Sequence, residues 1–232
     1  MRTAQLYLED SYLRELEAEV IELRDGVILD RTIFYAASGG QPTDTGAMIG
    51  STRYEVKDVT KQEEIVHKTE PLPSLGERVK LIIDWDRRYK HMKMHTAIHV
   101  VSSIAMKEFG ASITGNQINL EYSRIDFNFK DWNSEISRSL QARVNEELKR
   151  NQDVSVLSMS RDDILKTEGA LKVDARLLPD SDTLRVVKIG DIDMQPDGGT
   201  HVKNTSEVGE IEIYKIENKG KNNKRMYFSI HK

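Results

Sequence analysis

The absence of cysteine is the feature that most limits what this chain of 232 residues can become. Disulfide bonds cannot hold the fold, so its stability must come from a hydrophobic core, which a chain of this length is able to bury. Thiol nucleophiles, iron–sulfur clusters and zinc sites built on thiolates are excluded as well. Any metal ion would have to be bound by nitrogen and oxygen ligands.

The overall composition is typical of a globular protein, with 31% charged and 38% hydrophobic residues. Apolar runs are only a few residues long, so no segment is predicted to span a bilayer. The residues after Met1 contain no apolar stretch of signal-peptide length, and we therefore expect a cytoplasmic protein.

The charge distribution predicts two domains, 1–86 and 87–232. The first carries 10 basic and 17 acidic side chains, whereas the second carries 24 and 21. Because the second part has the excess of cations, it is the better suited to bind a polyanion.

Short apolar runs separated by turn residues make the first part a β domain, either a small barrel or a sandwich. The predicted strands are Glu17–Leu23, Val27–Leu29, Thr32–Tyr35, Tyr54–Val59 and Val79–Ile83. The second part mixes helices and strands, so the fold class is α+β.

Two helices are predicted in the second part. Arg87–Phe109 is followed by Gly110, a residue type that often ends helices. In Ser134–Asn151 apolar residues recur every four positions, which places them on one helix face. The predicted strands are Val154–Leu157, Thr183–Ile189, Glu210–Ile216 and Arg225–Ile230.

His95 and His99 are separated by four positions within the first predicted helix. Residues at this spacing lie one above the other, so both imidazoles can reach one metal ion. The alternative is a pair of unrelated surface histidines. A zinc protease motif of this type needs a glutamate after the first histidine, but Thr96 stands there, which disfavours a metalloprotease.

A third histidine, His201, follows Asp197 across a Gly-Gly turn. Glycines let the backbone turn tightly, so the two flanking side chains can converge on one point. An ordinary surface turn is the alternative interpretation. Together with the helix pair, these residues would form a site of three nitrogens and one oxygen, which suits Zn²⁺ with an exchangeable water position.

Two polar segments could line a pocket. The first is glycine-rich, Phe34–Gly46, and lacks the Gly-Lys-Ser/Thr ending of a phosphate-binding loop, so by itself it is a hairpin loop. The second is Gly115–Ile118, which could equally well end a strand.

Basic residues cluster just before His95 and again near the end of the chain. Such clusters are usually solvated surfaces, but their place in the more basic part also fits contacts with a phosphate backbone. The members that we assign to such contacts are Arg87, Arg88, Lys219, Lys221, Lys224 and Arg225.

The order and spacing of Phe34–Gly46, His95–His99, Gly115–Ile118 and Gly198–Gly209 resemble the AlaX family, the free-standing alanyl-tRNA editing proteins. The resemblance extends over nearly the whole chain and is to the medium type, which has the glycine-rich N-terminal domain. It implies a small N-terminal β-barrel followed by an α/β editing domain of the threonyl/alanyl-tRNA synthetase type.

The resemblance further implies a metal-dependent hydrolase that deacylates mischarged tRNA(Ala), chiefly Ser-tRNA(Ala) and secondarily Gly-tRNA(Ala). It places one Zn²⁺ on His95, His99 and His201. The fourth ligand of the family is normally a cysteine, and its position is occupied here by Asp197. A carboxylate keeps the negative charge of a thiolate, but it is a harder ligand and less selective for zinc.

Residues for selecting a serine hydroxyl are proposed from the same motifs, with Thr96 and Gln117 in catalytic roles. The remaining polar candidates for binding the substrate are Ser38, Gly39, Gly40, Gln41 and Asn116. Two other functions stay open: a non-catalytic tRNA-binding module with an impaired metal site, and a metal-dependent hydrolase of another small aminoacyl ester.

Overall fold

A computed structural model of the chain describes residues 3–167, 178 and 180–231. The chain forms two compact units, Met1–Met92 and Lys93–Lys232. The boundary between them falls within a long helix, Trp85–Phe109.

The first unit is built around a closed six-stranded barrel. Its strands follow the order β2, β3, β7, β6, β5, β8 around the barrel, and β8 returns to pair with β2. Side chains alternate between the interior and solvent, as β2 shows with Ala18 and Val20 buried on either side of the exposed Glu19. The barrel strands are β2 (Glu15–Leu23), β3 (Val27–Leu29), β5 (Gly46–Ile49), β6 (Arg53–Lys61), β7 (Ile65–Glu70) and β8 (Arg78–Ile83).

Two short strands outside the barrel, β1 (Ala4–Gln5) and β4 (Arg31–Thr32), pair in parallel. The predicted strand Thr32–Tyr35 was wrong beyond its first residue. There the backbone amides bond to side chains instead of a neighbouring strand: Phe34 N donates to Thr32 Oγ1 at 3.1 Å, and Tyr35 N donates to Asp44 Oδ2 at 2.7 Å.

The second unit combines helices with two antiparallel sheets. The four-stranded sheet has the order β14, β15, β10, β9, and the three-stranded sheet has the order β11, β12, β13. The helices are α1 (Trp85–Phe109), which begins in the first unit, α2 (Ser134–Lys149) and α3 (Arg161–Lys166). The strands are β9 (Ser112–Ile118), β10 (Ser123–Asn128), β11 (Val154–Ser160), β12 (Thr183–Ile189), β13 (Asp193–Pro196), β14 (Glu210–Gly220) and β15 (Asn223–His231).

The second helix follows its sequence pattern closely. The side chain of Asn133 caps it by accepting the Ile136 N–H at 2.8 Å, and Leu140, Val144 and Leu148 are buried on one face. The predicted α+β class, with a small N-terminal barrel, is confirmed. Within the described residues, none of the helices is both long and apolar enough to cross a membrane.

Candidate metal centre

Four predicted ligands meet in the second unit. His95 and His99 lie on successive turns of α1, and Asp197 and His201 flank the turn that follows β13. The three histidines are buried and the carboxylate is nearly so. One ligand atom from each of the four residues lies within 4.8 Å of the others.

The nitrogen–oxygen distances are close to those between ligands of one metal ion, and they involve both oxygens of Asp197. The Nε2 atoms of His95 and His99 lie 3.5 and 3.7 Å from Asp197 Oδ2, and His201 Nε2 lies 3.2 Å from Oδ1. Ligands bound at 2.0–2.2 Å around a tetrahedral ion are about 3.3–3.6 Å apart. The residues present therefore fit a metal ion such as Zn²⁺, with Asp197 in the fourth position.

The electrostatics of the cluster favour ligation through the carboxylate. Burial alone would raise the pKa of Asp197, but the charge of His95 and hydrogen bonds from the histidines hold this pKa well below its usual value. Burial and the neighbouring charge of His95 hold the pKa of His201 well below its usual value. An ionised carboxylate and a neutral imidazole are the forms that bind metal ions.

His99 behaves differently from the other two histidines. Burial lowers its pKa, but hydrogen bonds to Asp193 and Asp197 outweigh this effect and raise the pKa to about 9. A metal ion on His99 would compete with a proton for the same ring.

Backbone contacts hold Asp197 in place. Gly199 N donates to Asp197 Oδ1 at 2.5 Å, and Arg185 Nη1 donates to the carbonyl oxygen of Asp197 at 2.6 Å. Gly199 also packs against the His95 ring so closely that a Cβ atom would lie 2.1 Å from His95 Cε1. Only glycine fits here.

Thr96, one of the predicted catalytic residues, is fully buried, and its Oγ1 lies 3.1 Å from His201 Nδ1. This is the ring atom on the side away from Asp197. Thr96 is thus placed to orient His201.

A second carboxylate, Asp193, lies behind His99 and was missed from the sequence. Its Oδ2 is 2.8 Å from His99 Nδ1. The only signal for it was an acidic residue four positions before Asp197, which alone indicates no contact with the helix.

The glycine-rich segment forms a tight two-residue turn in the first unit. Ser38 and Gln41 exchange backbone hydrogen bonds, and Gly39 and Gly40 between them have φ values of 57° and 85°. Positive φ at both central residues is typical of a type I′ turn and favours glycine. Ser38 and the two glycines are exposed, whereas Gln41 is buried.

The structure gives the two predicted phosphate-binding arginines of α1 different surroundings. Arg88 is fully buried and bonds to Asp44, Ser11 O and Ile33 O. A phosphate cannot reach a guanidinium enclosed in this way, so the prediction for Arg88 does not fit the structure. Arg87 is half-buried, and its Nε donates to Thr43 O at 3.1 Å.

Asn116 and Gln117 are neighbours on β9 and therefore face opposite sides of the sheet. Gln117 is exposed, and its Oε1 accepts a hydrogen bond from Arg124 Nε at 2.8 Å. Asn116 is paired with the buried Ile125, and among the described residues no group donates to its buried Oδ1.

The C-terminal basic residues belong to the hairpin of β14 and β15. Lys219 pairs with Glu217 at 2.9 Å, and Arg225 binds Asp126 through two nitrogens at 2.7 and 2.8 Å. The hydrogen bond with Asp126 raises the pKa of Arg225. Lys221 at the turn is exposed, and Lys224 Nζ lies 3.2 Å from Asn218 Oδ1.

Comparison with protein families finds two matching regions. Residues 184–227 match the model of the threonyl and alanyl tRNA synthetase second additional domain. Residues 6–87 match the model of class II (A) tRNA synthetases. The first match includes Asp197 and His201 of the metal cluster.

Several curated proteins match over nearly the whole chain. The alanyl-tRNA editing protein AlaX-M of Saccharolobus solfataricus is 41% identical, with 98% of this chain and 99% of that protein covered. AlaX-M of Methanosarcina mazei is 40% identical, with 98% and 96% covered. AlaX-L of Pyrococcus horikoshii is 37% identical over 97% of this chain and 57% of its own length.

Proposed function

Because the chain belongs to the AlaX family of alanyl-tRNA editing proteins, we propose that it hydrolyses the ester bond between a wrong amino acid and tRNA(Ala). The proposed substrates are Ser-tRNA(Ala) first and Gly-tRNA(Ala) second. The products are the free amino acid and intact tRNA, since water adds to the ester carbonyl and the terminal ribose oxygen leaves with a proton.

The observation that carries this proposal is the cluster of His95, His99, Asp197 and His201. Its ligand atoms lie within 4.8 Å of one another, close enough to converge on one metal ion, although a carboxylate replaces the family cysteine. When bound there, Zn²⁺ supplies a positive charge that can activate water or polarise the ester carbonyl. A deacylase is therefore better supported than a non-catalytic tRNA-binding module.

The chain's own residues hold this site rigid. Thr96 orients the ring of His201, Gly199 leaves room for the ring of His95, and Arg185 fixes the backbone of Asp197. Rigid side chains keep the ligand atoms in one geometry and limit the reorganisation needed during the reaction.

Selection of serine over alanine requires groups that bond to the serine hydroxyl, because a site built for a hydroxyl strongly disfavours an analogue without it. Asn116 suits this role, since within the described part of the chain its buried Oδ1 accepts no hydrogen bond. Ser38, Gly39 and Gly40 of the exposed turn are proposed to contact the substrate as well.

The tRNA backbone is proposed to bind to exposed or partly exposed cations, and its affinity should fall with salt as counterions are released. The residues that we assign to it are Arg87, Lys219, Lys221, Lys224 and Arg225. Arg88 is withdrawn from this set because it is fully buried.

The test is deacylation of Ser-tRNA(Ala), with the metal content measured on the same preparation. We expect His201→Ala and Asp197→Ala to lose both bound metal and activity. His231→Ala is the matched control, because this histidine is exposed at the end of β15 and pairs with Glu212. Metal-loaded protein that leaves the ester at the rate of buffer alone would overturn the enzyme and favour the binding module.

The role of Asp197 is tested separately by Asp197→Cys. If this position is a metal ligand, a thiolate there should raise the zinc occupancy, because it is the softer ligand. An Asp197→Ala protein that keeps its metal and its rate would show that the carboxylate is no ligand.

A further inference from the structure

A second buried carboxylate stands behind the metal centre. Asp193, on β13, has a side chain that is only 1% exposed and is not one of the four clustered residues. A buried carboxylate is costly unless hydrogen bonds and opposite charges surround it. The groups around Asp193 therefore indicate why a carboxylate is buried there.

Three polar side chains meet this carboxylate. Asp193 Oδ2 lies 2.8 Å from His99 Nδ1 and accepts a hydrogen bond from Gln195 Nε2 at 3.1 Å. Its Oδ1 accepts a hydrogen bond from Ser103 Oγ at 2.9 Å. Both oxygens are thus used, and His99 is the one cation-forming side chain among these three.

The arrangement connects one face of a helix with one face of a strand. Ser103 follows His99 by four positions on α1, so both side chains point the same way. Asp193 and Gln195 alternate on β13 and share a face. The carboxylate therefore fixes the His99 ring from the side opposite to the metal cluster.

The hydrogen bond determines which nitrogen of His99 is free. Gln195 Nε2, which donates to the same carboxylate, also lies 2.8 Å from Nδ1. The ionised carboxylate is the stronger partner, so in a neutral imidazole the one proton stays on Nδ1. The lone pair then lies on Nε2, which is the atom facing Asp197 Oδ2 at 3.7 Å. Carboxylates hydrogen-bonded to metal-binding histidines act in this way and strengthen the ligand.

We infer that Asp193 is a positioning residue that orients His99 for metal binding, and that Ser103 and Gln195 hold Asp193 in place. This inference rests on the metal site of the proposed function but concerns residues outside the ligand set. His201 differs from His99 in this respect, because its Nδ1 faces the hydroxyl of Thr96 at 3.1 Å instead of a carboxylate.

The test uses two adjacent serines of α1 as a matched pair. Ser102 and Ser103 are both buried, but Ser102 Oγ donates to the backbone oxygen of Ile98, whereas Ser103 Oγ donates to Asp193. The Zn²⁺ affinity is measured by competition with a chelator. We expect about a 10–100-fold loss for Asp193→Asn, a smaller loss for Ser103→Ala and no change for Ser102→Ala.

A spectrum separates positioning from a general loss of stability. The visible absorption bands of Co²⁺ depend on the geometry of its ligands, so Asp193→Asn should shift them and Ser102→Ala should not. If Asp193→Asn does not fold, the Zn²⁺ affinities and Co²⁺ bands of Ser103→Ala and Ser102→Ala alone test the inference.

Unchanged Zn²⁺ affinity and Co²⁺ bands in both Asp193→Asn and Ser103→Ala would overturn the inference. Wild-type protein that binds neither ion would overturn it together with the metal site. Protein that binds zinc with the expected order of affinities, yet leaves Ser-tRNA(Ala) intact, would overturn the deacylase and keep the role of Asp193.

Discussion

Gly199 leaves no space between the backbone and the imidazole of His95. A Cβ atom on Gly199 would lie 2.1 Å from His95 Cε1 and 2.3 Å from Nδ1, so the ring would have to move. We predict that Gly199→Ala loses most of its zinc affinity while the protein still folds. Chelator competition and circular dichroism on the same sample measure the two effects.

Gly198 provides the control for this prediction. A Cβ atom there meets no atom within 4 Å, so Gly198→Ala should bind zinc as the wild type does. Equal zinc affinity of the two alanine variants would show that the His95 ring has room to adjust.

Single residues could be predicted from the sequence where the signal is local. His95 and His99 share a helix face at a spacing of four, and the Gly-Gly turn between Asp197 and His201 is visible by itself. The partnership of Asp193 with His99 could not be predicted, because it depends on how β13 packs against α1. The burial of Arg88 likewise depends on its contact with Asp44, which lies 44 positions earlier in the sequence, so it could not be predicted either.

The first turn of α1 is attached to the base of the glycine-rich loop by a buried ion pair. Arg88 and Asp44 are both fully buried, and the Asp44 carboxylate also accepts the Tyr35 N–H. We predict that Arg88→Met lowers the free energy of unfolding by about 3–5 kcal/mol, because the carboxylate is left buried without its cation. Urea unfolding measures this change.

The neighbouring Arg87→Met is the matched control, since Arg87 is half-buried and its Nε donates to the backbone oxygen Thr43 O. Its effect on unfolding should be within about 1 kcal/mol, the usual range for one hydrogen bond. If both variants lower the free energy of unfolding by a similar amount, the buried ion pair does not account for the effect of Arg88→Met.

At the level of elements, regular periodicity was sufficient for some predictions and not for others. The strand Thr183–Ile189 agrees with the sequence prediction at both ends, and α2 differs only at its last turn. The segment after Thr32 is as apolar as a strand, but the backbone N–H of Tyr35 donates to the side chain of Asp44 instead of to a neighbouring strand. Side chains that satisfy backbone groups are not visible in hydrophobic patterns.

The whole molecule carries a tryptophan in each unit, Trp85 in the first and Trp132 in the second, which lets their unfolding be followed separately. In the first unit, His67 is fully buried in the barrel. Its Nδ1 donates to Val27 O at 3.0 Å, and its Nε2 accepts from Thr32 Oγ1 at 2.8 Å. Burial lowers the pKa of His67 to about 4, although the bond to Val27 acts in the opposite direction.

The first unit should therefore lose stability on acidification. Between the unfolded pKa of about 6.5 and the folded pKa of about 4, the unfolded chain binds the proton more strongly. We predict that stability is full above pH 6.5 and falls by about 3 kcal/mol as the pH drops to 4. Trp85 fluorescence during urea unfolding in a Trp132→Phe background measures it.

The same titration in a His67→Gln background isolates this histidine from the carboxylates that also titrate near pH 4. The variant should be less stable at pH 7 but lack the loss between pH 6.5 and 4. An unchanged pH dependence in the variant would assign the loss to other groups.

The two halves of the metal cluster lie about a hundred residues apart in the chain, with His95 and His99 on α1 and Asp197 and His201 after β13. A ribosome adds about 5–20 residues per second, so about 5–20 s pass between synthesis of the two halves. During that time the helix pair offers only two nitrogens to an ion, whereas the last barrel strand, which ends at Ile83, is already made. A metal ion held by all four residues would therefore be acquired only after His201 is made, and its identity would depend on the ions available to the protein at that stage.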